Sequence, residues 1–137
     1  MSNYVKRYRQ DQLETIEFFT EQSNSLPSDI LSQLVDTIDD ISTTSDCPII
    51  LLKSGGEKVF CAGASFDELS SLQNMDTGKA FFMGFANVIN AIRQCPKLVI
   101  GRVHGKAVGG GVGLASACDY CMATKYASIR LSELAVG

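Results

Sequence analysis

The sequence predicts an α/β domain built on a mostly parallel β-sheet, and three observations lead to this prediction. The chain has 137 residues, a length that suits one domain or part of one. Hydrophobic residues make up 45% of it and charged residues 20%, which suits a globular core and excludes a disordered acidic tail. Short apolar runs alternate with stretches of helical periodicity in the order β-α-β-α-β, as in parallel sheets with helical crossovers.

The first strand and the first helix are predicted in the N-terminal third of the chain. Residues 15–19 alternate apolar and polar side chains, which indicates a half-buried strand, and the turn-prone residues 23–25 follow. Pro27 is predicted to give the next helix a rigid entry, with Ser28 supplying the N-cap oxygen. The apolar residues that then share one helical face are Ile30, Leu31, Leu34, Val35, Ile38 and Ile41.

The middle of the chain predicts a buried strand and a longer helix. Residues 48–53 form a continuous apolar run, which suits a strand buried on both sides in a parallel sheet. Apolar residues then recur at helical spacing over residues 78–94. Pro96 ends that helix, because the residue before a proline avoids the helical conformation.

The last predicted elements are two strands separated by a short helix. The strands cover residues 98–103 and 119–124, and the helix follows the glycines at 109–111 and ends at Ala117. In a parallel sheet of this kind, ligands bind at the loops beyond the carboxyl ends of the strands. Two loops of this sequence are rich in glycine, so they are the first places to look for a site.

These two loops are the candidate functional motifs. The first covers residues 60–65 and the second residues 103–115. Small side chains let a ligand approach the backbone, and the start of a helix presents unpaired amides and a partial positive charge. A single glycine loop is more often a tight turn. Because each loop follows a strand of the same predicted sheet, the pair could converge on one oxygen as an oxyanion hole for a forming enolate.

The order of these motifs resembles the enoyl-CoA hydratase/isomerase, or crotonase, superfamily. The residues that carry the resemblance are 60–65, 105–119 and Glu133. It implies a spiral of ββα units, with residues 1–137 forming a crotonase-like core that is truncated before a C-terminal helical region. It also implies acyl-CoA thioester substrates, with coenzyme A as part of the substrate and no separate cofactor, and assembly into a homotrimer or hexamer.

The resemblance also implies roles for individual residues. The two oxyanion-hole amides fall on Ala64 and Gly110. Hydratases of this family carry two glutamates, whose positions correspond here to Gly113 and Glu133. A single carboxylate can remove a proton at one carbon and return it to another, so a double-bond shift is favoured over hydration. The neighbouring residues implied in substrate binding are Ala62, Gly63, Ser65, Gly109 and Gly113.

Other functions stay open beside this isomerase-like hypothesis. One is an enoyl-CoA hydratase, and another is a non-catalytic acyl-CoA-binding or assembly protein that kept the fold. A dinucleotide-binding domain is disfavoured, because no Gly-x-Gly-x-x-Gly follows the early strand. Where the family often has a lysine that meets coenzyme A phosphates, this chain has Asp67 and Glu68, so Lys58 becomes the candidate cation. Replacing either of these two acids is expected to have a small effect.

Several residues that could suggest other chemistry are interpreted as structural. Cys118 and Cys121 have metal-ligand spacing, but without a second cysteine pair and with one histidine no metal site is predicted. Both cysteines are expected to be buried. His104 is interpreted as a structural or pocket-wall residue. The apolar stripe over residues 81–89 belongs either to the core or to an acyl-chain pocket.

Charge and composition bear on partners and location. With 12 Lys and Arg against 15 Asp and Glu, the net charge is −3, and the absence of a basic cluster disfavours nucleic acid as a partner. No apolar stretch approaches the roughly 18 residues that span a bilayer, so no membrane interaction is predicted. Five cysteines without regular spacing indicate reduced thiols, and hence a cytoplasmic location.

Overall fold

Ten strands and four helices form within residues 2–131, which are the residues that this computed structural model describes. In chain order they are β1 (Tyr4–Gln10), β2 (Leu13–Phe19), β3 (Ser25–Leu26), α1 (Ser28–Thr44), β4 (Ile49–Ser54), β5 (Val59–Cys61), β6 (Gly63–Ala64), α2 (Phe66–Ser70), α3 (Met75–Gln94), β7 (Leu98–Val103), β8 (Lys106–Val108), α4 (Gly110–Ala117), β9 (Tyr120–Ala123) and β10 (Ile129–Arg130). The strands form three sheets, in the orders β1-β2-β4-β7-β9, β10-β8-β5 and β3-β6.

The five-stranded sheet confirms the predicted α/β pattern. Strands β2, β4, β7 and β9 are parallel neighbours, and they coincide with the four predicted strands. The helices α1, α3 and α4 connect them in turn, as the alternation predicts. Strand β1 was not predicted, and it pairs antiparallel with β2 at the edge of the sheet. It is mostly exposed and carries several charged residues, so it lacks the apolar signal of a central strand.

The hydrophobic core lies between this sheet and the helices α1 and α3. The predicted apolar face of α1 is buried except for the half-buried Val35. It packs in one cluster with side chains from the sheet, among them Phe18 and Leu52. The prediction that β4 is buried on both sides is only half right. Its buried and half-buried residues alternate along the strand, so one face meets the core and solvent partly reaches the other.

The N-terminus of α1 differs from the prediction that Ser28 caps it. Ser28 is the first helical residue, and the N-cap Pro27 makes no side-chain capping bond. The carboxylate of Glu68, in α2, takes over this function. It accepts hydrogen bonds from the Ser28 amide at 2.8 Å and from the Ser28 hydroxyl at 2.5 Å. Glu68 therefore has a structural role that the sequence did not indicate, because it ties α2 to the start of α1.

Replacing Glu68 by alanine is expected to destabilise the protein by about 1 kcal/mol, the usual cost of losing a helix cap. Asp67 is the matched control, because it is an exposed acid in the same first turn of α2. Urea unfolding of the two variants would measure the difference. Equal unfolding free energies for Glu68→Ala and Asp67→Ala would show that the carboxylate does not cap α1.

The described helices also bear on the question of a membrane. Among residues 2–131, no helix is both long enough and apolar enough to cross one.

Candidate active site

The two glycine loops follow β4 and β7 of the large sheet along the chain, and they involve two short strands, β5 and β8, that are neighbours in the small sheet. Strands β5 and β8 are parallel, with Val59 opposite Lys106 and Cys61 opposite Ala107. The first loop continues from β5 into β6, and the second continues from β8 into α4. Each motif was predicted to follow a strand of the main sheet, and it does: residues 60–65 come after β4 and a turn, and the second motif begins at Val103, the last residue of β7. Strands β5 and β8 were not predicted, because strands of three residues are too short to show a periodic pattern.

The structure brings the two loops into direct contact. Gly63 has a φ of +94°, a conformation that favours glycine, and a Cβ atom placed on it would lie 3.2 Å from the Gly110 amide nitrogen. A Cβ atom on Gly111 would lie only 2.2 Å from the carbonyl oxygen of Cys61. Side chains at these positions would push the loops apart. The small residues are therefore required by close packing between the loops.

The second loop places a helix N-terminus at this contact. Gly109 is the N-cap of α4, with a φ of 55°, and no side chain caps the helix. The Gly109 amide donates a hydrogen bond to the carbonyl of Arg130 at 2.9 Å. Gly110 is the first helical residue, so the helix itself offers its amide no partner. The positive end of the helix dipole adds to the attraction of this position for an anion.

The first loop holds Ala64 in a short strand next to the contact. Ala64 lies opposite Leu26 in the parallel β3-β6 pair, and it is half-buried. The preceding Gly63 amide donates to the Cys61 sulfur at 3.5 Å. Burial raises the pKa of the Cys61 thiol to about 12. This cysteine is therefore neutral near pH 7 and unsuited to nucleophilic chemistry, although it lies in the loop.

Some of the residues implied in substrate binding make hydrogen bonds or close contacts within the protein, and others do so less. Ser65 is buried, and its hydroxyl accepts a hydrogen bond from the Glu68 amide at 3.3 Å as the N-cap of α2. Gly63 packs against the second loop, and the Gly109 amide is bonded to Arg130. Ala62 and Gly113 are half-buried. The structure thus gives Ser65, Gly63 and Gly109 contacts of their own within the protein.

The apolar stripe of α3 is divided between the core and the glycine helix. Phe81 and Val88 are buried in the protein, whereas Phe82 is exposed. The ring of Phe85 lies against Gly110, since a Cβ atom there would be 2.7 Å from it. Part of the stripe therefore belongs to the core, as predicted, and Phe85 lies beside the start of α4.

Gly113 faces a groove between α3 and α4. A Cβ atom on Gly113 would meet Ile89 at 3.4 Å, an ordinary contact distance. The two residues line a cavity of about 410 Å³ together with Arg93, Ser116 and others. Among the glycines of α4, Gly113 is therefore the one where a side chain would fit. By the resemblance, the first glutamate of the family's hydratases corresponds to this position, and here it is replaced by glycine.

Glu133 lies outside the described residues, but the segment before it does not. Strand β10 runs parallel to β8, with Ile129 opposite Ala107 and Arg130 opposite Val108. The hydrogen bond between the Gly109 amide and the Arg130 carbonyl joins this strand to the start of the second loop. The chain that leads to Glu133 therefore runs beside the strand that leads to Gly110.

The remaining candidates include one correction. Cys121 is exposed in strand β9, so the expectation that it is buried was wrong, whereas Cys118 is half-buried. Within residues 2–131, no three His, Cys, Asp or Glu side chains come together as metal ligands. Burial lowers the pKa of His104, and the charge of Arg102 lowers it further. Lys58 is exposed and is the last residue of the turn between β4 and β5.

Sequence reasoning missed the roles of Asn24, which holds the backbone that leads into the first loop, and of Glu68, which joins α2 to the start of α1. Asn24 binds Gly55 and Val59, and Glu68 binds Ser28. These partners are 31 to 40 positions away in the sequence, so no local pattern could reveal them. The turn-prone residues around Asn24 were the available signal, and they indicated a loop without a function.

Comparisons with known proteins agree with this architecture. The sequence profile of the enoyl-CoA hydratase/isomerase family matches residues 10–137. The peroxisomal Delta(3,5)-Delta(2,4)-dienoyl-CoA isomerase of Arabidopsis thaliana is 32% identical over 126 residues, covering 82% of this chain and 45% of that protein. A probable enoyl-CoA hydratase of Bacillus subtilis is 32% identical over 115 residues, covering 84% of this chain and 44% of that protein.

Solved structures show the same fold. The enoyl-CoA hydratase of Bacillus anthracis superposes with a TM-score of 0.90 and 29% identity, covering all of this chain (100%) and 53% of that chain. An enoyl-CoA hydratase of Mycobacterium smegmatis gives a TM-score of 0.91 and 27% identity, covering 97% of this chain and 52% of that chain. The chain thus spans about half the length of these relatives. It has the N-terminal part of the crotonase fold, and it belongs to the enoyl-CoA hydratase/isomerase family.

Proposed function

We propose that this chain provides the oxyanion hole of an acyl-CoA enzyme that stabilises a thioester enolate. The contact between Gly63 and the Gly110 amide nitrogen is the observation that carries the proposal. It places the backbone next to Ala64 against the first turn of α4. The amides of Ala64 and Gly110 are the two donors that would bind the thioester carbonyl oxygen.

These two amides would act most strongly on the enolate. When the carbon next to the thioester carbonyl loses a proton, negative charge moves to the carbonyl oxygen. Fixed N–H donors at that oxygen stabilise this charge more than they stabilise the neutral substrate. One such donor is worth about 3 to 4 kcal/mol of barrier, and the N-terminus of α4 adds its partial positive charge.

We propose Glu133 as the acid and base that moves the proton. The pairing of β10 with β8 supports this role, because it brings Arg130 to Gly109 one residue before the described part ends. With glycine at position 113, the matching place for a second carboxylate is empty of any side chain. A single carboxylate can remove a proton at one carbon and return it to another, so the favoured reaction is a shift of a double bond.

Hydration of an enoyl-CoA is the second candidate reaction. It is supported by the similarity to the Bacillus subtilis relative, which is named a probable enoyl-CoA hydratase. A hydratase working with Gly113 would have to hold its water without a carboxylate at that position. The two reactions share the oxyanion hole and differ in whether water enters the product.

The remaining parts of the proposal concern partners and location. Lys58 is exposed at the end of the turn before β5, where a cation could meet the phosphates of coenzyme A. We propose that the intact protein assembles as a homotrimer or hexamer in the cytoplasm, with no cofactor other than the coenzyme A of its substrate. Gel filtration with light scattering would give the number of subunits.

The proposed function is tested by incubating the intact protein with 2-enoyl-, 3-enoyl- and 3,5-dienoyl-CoA esters and following the products by liquid chromatography, which separates double-bond isomers, coupled to mass spectrometry. An isomerase shifts the double bond with no change of mass, and a hydratase adds one water. Acyl-CoA binding without any conversion would instead show a non-catalytic binding protein. Absence of both binding and conversion would overturn the proposal.

A further inference from the structure

Asn24 is a buried polar residue in a conformation that few side chains adopt. It lies in the turn between β2 and β3, and only 3% of its surface is exposed. Its φ is 56°, in the left-handed region that asparagine tolerates better than most residues. A buried amide in this conformation needs hydrogen bonds to offset the cost of its burial.

The Asn24 side chain joins three segments of the chain. Its Oδ1 atom accepts a hydrogen bond from the Thr20 amide at 2.9 Å. Its Nδ2 atom donates to the carbonyl oxygens of Gly55 and Val59, each at 2.9 Å. Both N–H groups of the amide are therefore used, and the end of β2, the turn after β4 and the start of β5 are held together.

Asn24 is linked to the first glycine loop in two ways, through its bond to Val59 and through the strand β3 that follows it. Val59 begins β5, the strand that continues into Ala64. The residues directly after Asn24 form β3, which pairs with Gly63 and Ala64 in β6. The Thr20 hydroxyl also donates to the Ser25 carbonyl at 2.7 Å, and this bond fixes the start of β3. Ala64 is thus reached from two sides by backbone that Asn24 holds.

We propose that Asn24 is a positioning residue for the oxyanion hole, because its side chain sets where the Ala64 amide lies relative to the Gly110 amide. The inference rests on the proposed function. Asn24 acts through the strands β3 and β5. A misplacement of about 1 Å in a catalytic group can cost about 100-fold in rate, so a small relaxation of these strands would lower kcat strongly.

The chemistry of this position makes asparagine distinct from its closest replacements. Aspartate has the same shape, but it lacks the two N–H donors and would set a carboxylate oxygen against the carbonyls of Gly55 and Val59. Glycine would accept the backbone conformation and lose all three side-chain bonds. Both variants therefore remove the bonds to Gly55 and Val59, aspartate with repulsion and glycine without it, and glycine also removes the bond from the Thr20 amide.

The test uses the intact protein with the substitutions Asn24→Asp and Asn24→Gly. We expect kcat to fall about 10- to 100-fold while the affinity for free coenzyme A stays within about twofold. Infrared difference spectra of a bound, unreactive acyl-CoA should show the thioester carbonyl band returning toward its frequency in water. This band reports the polarisation of the carbonyl, which a loss of stability alone would not change.

Ser23→Ala is the matched control, and Thr20→Val is the second variant. Ser23 is the exposed neighbour of Asn24 and has nearly the same φ, 59°, so Ser23→Ala should leave kcat and the carbonyl band unchanged. Thr20→Val removes only the bond to Ser25 and should shift both readouts in the same direction by a smaller amount. It leaves the Asn24 side-chain bonds in place and tests the start of β3 alone, whereas Asn24→Gly, which accepts the backbone conformation without repulsion, keeps the test decisive if Asn24→Asp does not fold.

The outcomes separate this inference from the proposed function. A wild-type protein whose bound carbonyl band is not shifted would contradict the oxyanion hole itself. A shifted band in the wild type that persists in Asn24→Asp or in Asn24→Gly would overturn the positioning role alone. A lower melting temperature with normal kcat would likewise mean that Asn24 only stabilises the fold.

Discussion

The Gly110→Pro variant of the intact enzyme is expected to lose about 10²- to 10³-fold in kcat, the usual effect of removing one oxyanion-hole donor. Proline has no amide hydrogen, so the substitution deletes the donor at the start of α4. Gly110 is the first residue of that helix, a position where proline is well tolerated. The helix should therefore persist, and affinity for coenzyme A should be largely kept.

Gly110→Ala is the control that separates the lost donor from a steric effect. Alanine keeps the amide hydrogen, yet its Cβ atom meets the same neighbour, the Phe85 ring, at 2.7 Å. The contact is with the far end of a side chain that can move, so we expect alanine to retain much more activity than proline. Steady-state kinetics of both variants on one enoyl-CoA would decide. Equal losses would mean that packing against Phe85, and not the amide, explains the effect.

Glu133→Gln is expected to lower kcat by about 10²- to 10⁴-fold, the contribution of a placed general acid or base. Glutamine has nearly the same size and cannot take up the proton. The exchange of substrate protons with heavy water should fall in parallel, because the same group would remove the proton in both measurements. Nuclear magnetic resonance of the acyl-CoA in heavy water would measure that exchange.

The control for Glu133 is the exposed acid Asp67. Asp67→Asn removes one negative charge of the chain and should leave kcat unchanged. Glu68, which the sequence also suggested as a residue of small effect, is unsuited to this purpose because its carboxylate caps α1. If Glu133→Gln exchanged protons at the wild-type rate, another group would be the base.

The elements that could be predicted are those with long periodic patterns. The four parallel strands of the main sheet are apolar or alternating runs, and α1 and α3 carry apolar residues at helical spacing, whereas the charged edge strand β1 has neither pattern. Strands β3, β6 and β10 have two residues each, and β5 and β8 have three. Elements of this length are defined by their hydrogen-bond partners, which come from distant parts of the chain. Sequence periodicity therefore misses them.

The candidate site could be predicted in part for the same reason. Glycines at positions 63 and 109–111 indicate places where the backbone approaches something closely, and the structure shows that the two loops approach each other. Their attachment to a second sheet could not be inferred. The hydrogen bonds that Asn24 donates could not be inferred either. Their acceptors are the carbonyls of Gly55 and Val59, which reach Asn24 only when β4 and β5 are folded.

The pairing of β8 with a later strand affects how this region forms during synthesis. The Gly109 amide bonds to Arg130, which the ribosome adds 21 residues later. At about 5 to 20 residues per second, Arg130 is added about one to four seconds after Gly109, and β8 cannot pair with β10 before then. A ribosome pause between these positions would prolong the time in which the β10 side of β8 is unpaired. A chaperone that binds unpaired strand edges could bind β8 during that time.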